Sequence, residues 1–295
     1  MKLGRLLMGI GLLVLVACEK QVDFAPENVS AKLVVDGQIE TGLPPVISIT
    51  RSLGYFSNVN PGIAASQFVR NAVVTISDGI KTHQLREYPS QLSSGITLYT
   101  YSNDVSNPAT AFVGVPGKQY QLEIRVDGQT YRATTTIPLL TKTVDSVWWK
   151  KAPNNTDTNK VVLMCKVTDP PGLGNYIRYF TKRNNEPFLP GINSVFDDQI
   201  VDGKTYDVQV DGGVDRNVET DPAEYGFFKR GDIVTLKFCN IDRNTYDFWR
   251  TWEFSFQSIG NPFSAPTKVL GNISNNALGA FCGYATQHKT LVIPN

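Results

Sequence analysis

The chain has 295 residues, yet only two histidines, three methionines and four cysteines, and its charges nearly cancel at 28 Lys and Arg against 27 Asp and Glu. Each scarcity excludes something. His83 and His288 have no carboxylate or histidine partner at ligand spacing, so zinc sites and histidine-based nucleophilic mechanisms lack parts. Balanced charge offers neither a basic patch for nucleic acid nor an electrostatic hold on anionic lipid. No glycine-rich phosphate loop follows a strand and opens a helix, and no Asp-x-Asp-x-Asp-Gly calcium loop occurs. No apolar run reaches the ~20 residues that a membrane-spanning helix needs. Neither a catalytic constellation nor a metal or cofactor site is expected, and the chain does not read as an enzyme.

What is present begins at the N-terminus. Lys2 and Arg5 give a short basic start, Leu6 to Val16 form an apolar run, and Leu15-Val16-Ala17-Cys18 closes it. This order is a secretory signal with a small-residue cleavage site. Leu-Val-Ala-Cys looks like a bacterial lipobox, which makes Cys18 the lipidated first residue of the mature protein and residues 1–17 a lipoprotein signal peptide. One acyl chain holds a protein marginally, at ~0.8 kcal/mol per buried methylene, whereas several chains on one residue make desorption negligible. Residues 18–30 are polar, contain Pro26 and lack an apolar period, so they read as a tether.

With Lys2 and Arg5 lost alongside the signal, the mature balance is 26 basic to 27 acidic residues. Hydrophobic content of 41% is too high for disorder, and the mature length is too great for one domain at a prior of about 150 residues. Removing Cys18 leaves Cys165, Cys239 and Cys282, an odd number in an exported protein, so at least one stays free. Cys165 shares a strand face with Val161, Leu163 and Val167 and reads as a small buried hydrophobe. Whether Cys239 and Cys282 pair is left open.

From Lys32 the pattern becomes alternating: Leu33 to Val35 before Asp36-Gly37, Val46 to Thr50 after Pro44-Pro45, Ala72 to Ser77 before Asp78-Gly79. Period-two runs split by Gly, Pro, Asn and Asp are strands with turns. The best-defined hairpin is Tyr120 to Val126, Asp127-Gly128, then Gln129 to Ile137, because Asp-Gly supplies the positive backbone angles of a two-residue turn. Tyr120, Leu122, Ile124 and Val126 share its core face. Residues 31–137 are therefore expected to form an immunoglobulin-like β-sandwich.

A second, β-rich domain is expected over 138–295. Strand-like runs are Val144 to Lys151, Lys160 to Asp169, Tyr176 to Lys182, Tyr206 to Val210 and Ile233 to Cys239, separated by two irregular stretches, Asn184 to Asp198 and Asp211 to Glu224. Long loops in a compact domain are usually functional or mobile. One helix is expected near 243–257, capped by Asp242 or Asn244, with Tyr246, Trp249, Trp252 and Phe256 in one stripe widened by Phe248 and Phe254. That stripe reads as a lid on the core, with a sugar platform as the competing reading. Asp197-Asp198 and Asp211 with Asp215 are the carboxylate clusters, more typical of solvated turns than of glycosidase chemistry, and the Asp211 to Asp221 loop is a weak calcium candidate.

Several motifs occur in a distinctive order: Val34-Val35-Asp36-Gly37 after the lipobox, Asp169-Pro170-Pro171-Gly172 before Asn175-Tyr176, Gly231-Asp232 before a strand, Asn261 to Thr267, Gly271-Asn272-Ile273, and Gly279-Ala280-Phe281-Cys282-Gly283-Tyr284. Together they resemble the Bacteroidota lipoprotein family known as domain of unknown function 4249. The resemblance implies an outer-membrane lipoprotein, often encoded beside TonB-dependent receptors, with no established activity and no family active site to carry over. The expectation is an accessory or binding protein anchored through Cys18 and working with a TonB-dependent barrel; the alternative is a surface lipoprotein that binds or processes glycans. Candidate partner-binding aromatics and neighbours are Tyr55 and Phe56 in one loop and Phe188, Leu189 and Phe196 in another. Asp145-Ser146-Val147 resembles an O-glycosylation acceptor of this phylum, making Ser146 a candidate. Twelve tether residues reach at most ~40 Å.

Overall fold

A computed structural model describes residues 30–54, 60–92, 95–219, 221, 223–261, 263–264 and 267–295. Cys18, Tyr55 and Phe56 lie outside the described residues. The chain is mainly β. In the first half the strands are β1 (Leu33–Glu40), β2 (Val46–Arg51), β3 (Val73–Ser77), β4 (Thr82–Gln91), β5 (Thr97–Asn103), β6 (Gln119–Val126) and β7 (Gln129–Thr136). The second half contains β8 (Thr143–Lys151), β9 (Lys160–Thr168), β10 (Tyr176–Arg183), β11 (Leu189–Phe196), β12 (Thr205–Val210), β13 (Phe228–Lys229), β14 (Ile233–Ile241) and β15 (Leu278–Val292). Among the described residues two helices accompany them, Pro61–Ser66 and Arg243–Gln257.

Eleven strands form one hydrogen-bonded path, β11-β10-β14-β15-β1-β2-β5-β4-β3-β6-β7, while β8, β9, β12 and β13 make a smaller sheet. The long strand β15 joins the halves. Its residues 278–284 run parallel to β1, and 285–292 pair antiparallel with β14. The boundary expected near 138 does not divide this ladder, and residues 31–295 are one compact unit. The first core gathers Val35, Ile49, Ile76, Leu122 and Ile124 with Phe281 and Ala285 from β15.

Side-chain alternation sorts the other two cores. On β14, Val234, Leu236 and Phe238 face Val161, Leu163, Cys165 and Val167 of β9 in the second core. Cys239 and Ile241 face the opposite way, into a third core with Cys282, Tyr284 and the long helix. A central β10-β14-β15 layer is thus covered by the small sheet on one side and the helix on the other. Cys165, Cys239 and Cys282 are all buried and free.

The Asp127-Gly128 hairpin forms as the turn chemistry requires, with φ of 52° and 72° at its two turn residues. The helix spans 243–257 with Asp242 as its cap. Two expectations are corrected. Asp36-Gly37 is not a turn, because β1 is paired on both sides there, Asp36 with Ser48 and with Ala280. A side chain at Gly37 would begin 3.0 Å from Ile47 and 3.1 Å from Phe281, so glycine serves packing. The stretch 184–198 is not irregular either, since antiparallel pairing with β10 draws residues 189–196 into β11 despite their Gly and Pro.

Candidate functional site

The turn after β10 and the segment between β12 and β13 together line an open groove of about 420 Å³. Its position follows from local constraints. Asn184 has φ of 52°, and its side chain accepts the N–H of Ile233 and donates to Asp232, both at 2.9 Å, which fixes the β10-β11 turn against β14. On the opposing segment, Gly213 donates its N–H to Thr181 at 2.6 Å, and Val214 donates to the carbonyl of Pro190 at 3.0 Å. A Cβ at Gly213 would lie 2.1 Å from the Leu189 carbonyl oxygen, so this close approach requires glycine.

The groove lining combines Leu189, Val218, Tyr225 and Phe227 with the acidic residues Glu186, Asp215, Glu219, Asp221 and Glu224, against Arg183 as its one basic side chain. Arg183 is spent on Glu186 at 2.9 Å, and that hydrogen bond pushes the guanidinium further up. Hydrogen bonds from Lys160 and Lys229 hold the Glu224 carboxyl below its usual range. Burial pushes the Tyr225 hydroxyl up to about 12, and it donates to Asp211 at 3.3 Å. Among the described residues its lining holds no histidine, cysteine or serine. A partly apolar, negatively charged cleft of this size suits a ligand or peptide segment carrying positive charge.

The residues singled out from sequence do not form one patch. Leu189 lines the groove. Phe188 packs against the His288 ring at 5.6 Å, near Lys237. Phe196, 48% exposed, lies at the far end of β11, opposite Ile177 where Leu189 is opposite Thr181, about 13 Å away at strand rise. Ser146 is exposed, beside the irregularity where the β8-β9 register shifts.

In the helix stripe Trp249 and Trp252 pack on the third core, as a lid would, but Phe254 is 55% exposed and stands outside it. Beneath lies a buried polar network that periodicity did not reveal. Glu253 accepts from Ser194 through Oγ at 2.5 Å and through the backbone N–H at 3.0 Å, and is ion-paired to Arg216 at 3.3 Å. Arg178 reaches Ser194 and the Tyr284 hydroxyl, each at 3.1 Å, with its guanidinium 3.4 Å above the Trp249 ring. Trp249 donates its indole N–H to the same hydroxyl at 2.9 Å, and burial pushes that phenol well above its usual range. The network locks the helix to β10, β11 and β15 and leaves Ser194 fully buried.

The carboxylates named from sequence are used in turns: Asp211 bonds Gln209 and Tyr225, Asp215 bonds Asn217, and Asp221 bonds Ala223. Among the described residues, the carboxylates of the Asp211 to Asp221 loop do not gather into one cluster. Among the described residues one trio does converge, Asp169, Asp198 and Asp202, whose ligand oxygens lie within 4.8 Å of one another. The Lys142 ammonium lies 3.0 Å from Asp169 there, both side chains being shut off from solvent.

A family model described as Domain of unknown function (DUF4249) matches residues 19–290. No curated protein matches the sequence.

Proposed function

Starting from the fact that the chain belongs to the family described as Domain of unknown function (DUF4249), we propose that it is a lipid-anchored, non-enzymatic binding protein of a bacterial outer membrane, working beside a TonB-dependent transport barrel. The anchor in this reading is Cys18, behind a signal that ends Leu15-Val16-Ala17. No helix among the described residues is long and apolar enough to cross a membrane. The observation that carries the binding role is the acidic groove of about 420 Å³ between residues 181 and 228. It has the size and mixed polarity of a recognition cleft, and its charge favours a basic loop or peptide of the partner.

Against a glycan platform stands the engagement of the helix tryptophans, since Trp249 has its ring under Arg178 and its N–H on Tyr284. A sugar site needs such rings free.

The test is affinity purification of the tagged protein from native-host membranes, comparing the natural chain with a Leu189→Arg, Tyr225→Ala double variant. The proposal expects a barrel protein with the natural chain and several-fold less with the variant. Absence of a barrel, or equal recovery from both, would overturn it.

A further inference from the structure

Lys142 stands immediately before β8, and Asp169 immediately after β9. Because Thr143 pairs with Thr168, the two residues face each other across the end of one antiparallel pair. Their side chains are 1% and 0% exposed, and Lys142 Nζ is 3.0 Å from Asp169 Oδ1. Neither atom nevertheless has an oriented hydrogen bond. A buried ion pair normally offsets its desolvation only when further hydrogen bonds complete it, so this contact is poorly accounted for as a salt bridge.

The backbone holds the two groups together. Asn240 accepts the Lys142 N–H and donates to its carbonyl, each at 2.9 Å, while Gln287 donates to that carbonyl at 3.0 Å. Asp169 donates its N–H to Lys204 at 3.0 Å. The Tyr206 ring lies 5.7 Å from the ammonium. A nucleophile held near contact distance of its target in a water-poor site has the geometry of a near-attack arrangement.

The same pocket contains the parts for acyl transfer. Asp169 Oδ2 accepts the Gly203 N–H at 3.1 Å, a donor placed where negative charge develops when Cγ is attacked. Asp198 brings a second carboxylate within 4.8 Å of the first. Its burial works to raise the carboxyl, but the N–H groups of Asn175 and Gly174 outweigh this and hold it below its usual range, so that it stands as a carboxylate beside Asp169.

We propose that Lys142 and Asp169 are joined by an intramolecular isopeptide bond that the folded chain forms by itself, with Asp198 as the proton carrier. Proton transfer within the pair gives a neutral amine and a carboxylic acid. The amine lone pair attacks Cγ, and the Nζ–Cγ bond forms. Asp198 takes a proton from Nζ and passes it to the departing hydroxyl on Oδ1, the Cγ–Oδ1 bond breaks, and one water leaves. Nothing is oxidised or reduced, and no co-reactant is needed. The amide replaces two buried charges and ties the start of β8 to the end of β9.

Tryptic digestion and mass spectrometry of the full-length protein decide the matter. Expected is a branched product in which Ala133–Lys150, uncut at Lys142, is joined to Val167–Arg178, with a mass one water below the sum of the two peptides. Linear Val167–Arg178 from all of the natural protein would overturn the bond. Lys142→Arg and Asp169→Ala should each yield only linear peptides. Asp198→Ala keeps both reacting groups and should slow linkage by about a hundredfold or more, the usual range for a lost acid-base group. Linkage at the natural rate in that variant would overturn the assignment of Asp198.

Discussion

Oδ2 of Asp242 accepts the backbone N–H of Thr136, 106 residues earlier, at 2.9 Å, while Oδ1 of the same carboxylate accepts the N–H of Thr245 at 2.8 Å and caps the long helix. One side chain thus starts the helix and fixes the end of β7. Losing a cap costs about 1 kcal/mol, and losing a hydrogen bond to a charged group about 1.5–3 kcal/mol. Asp242→Ala should therefore destabilise by about 3 kcal/mol and Asp242→Asn by less, read as a lower urea midpoint at unchanged slope.

Glu253 is buried on Ser194 and Arg216. Truncating one member of such a pair leaves the other charge without compensation, at a cost of about 3–5 kcal/mol. Glu253→Ala should lower the thermal midpoint sharply. Glu186→Ala, removing an exposed pair with Arg183, should change stability by only about 0–1 kcal/mol.

His83 is fully buried: its Nε2 accepts the N–H of Asp104 at 2.9 Å, and Nδ1 bonds Thr110 at 2.7 Å. Burial holds the imidazole below its usual range, against the opposing pull of Asp104. The unfolded chain then binds the proton more readily, so this contribution to stability is complete above about pH 6.5 and is lost as pH falls. Exposed His288 shifts in the same direction, through partial desolvation and Lys237. Urea midpoints should decline between about pH 6.5 and pH 5, and less steeply in His83→Gln. An equal decline in that variant would refute the assignment.

Adjacent glycines offer an internal control on the groove. A Cβ at Gly213 meets the Leu189 carbonyl oxygen at 2.1 Å, whereas at Gly212 its nearest neighbour is 3.7 Å away. Gly213→Ala should displace the 211–214 segment, at an overpacking cost on the order of 1–3 kcal/mol, and expose it to protease. Gly212→Ala should leave both stability and cleavage unchanged. The readout is limited proteolysis with identification of the cut sites.

For the anchor, Cys18→Ser should abolish incorporation of labelled palmitate and move the protein to the aqueous phase in detergent partitioning. Label retained in the variant would disprove lipidation at this residue.

What the sequence determined by itself is local. The Asp127-Gly128 hairpin and the helix from 243 to 257 were readable because a turn's backbone angles, a cap and a three-to-four spacing are each specified within a few residues. Parity along strands is also local, and it marks buried charge. Lys142 shares the inward face of Val144, and Asp169 continues the series Val161, Leu163, Cys165, Val167, so both charges were already placed toward a core. Tertiary structure alone decided which strands became neighbours. Nothing near Asp36-Gly37 announces that β1 will be paired on one side by β2 and on the other by residues 278–284, and that double pairing carries a familiar turn motif through as strand. It likewise brought Glu253 to Ser194, Lys142 to Asp169, and the 184–189 turn to the 211–228 segment that together make the groove. Such contacts depend on long loop closures that become favourable only when several surfaces are buried at once, and no short window of sequence carries that information.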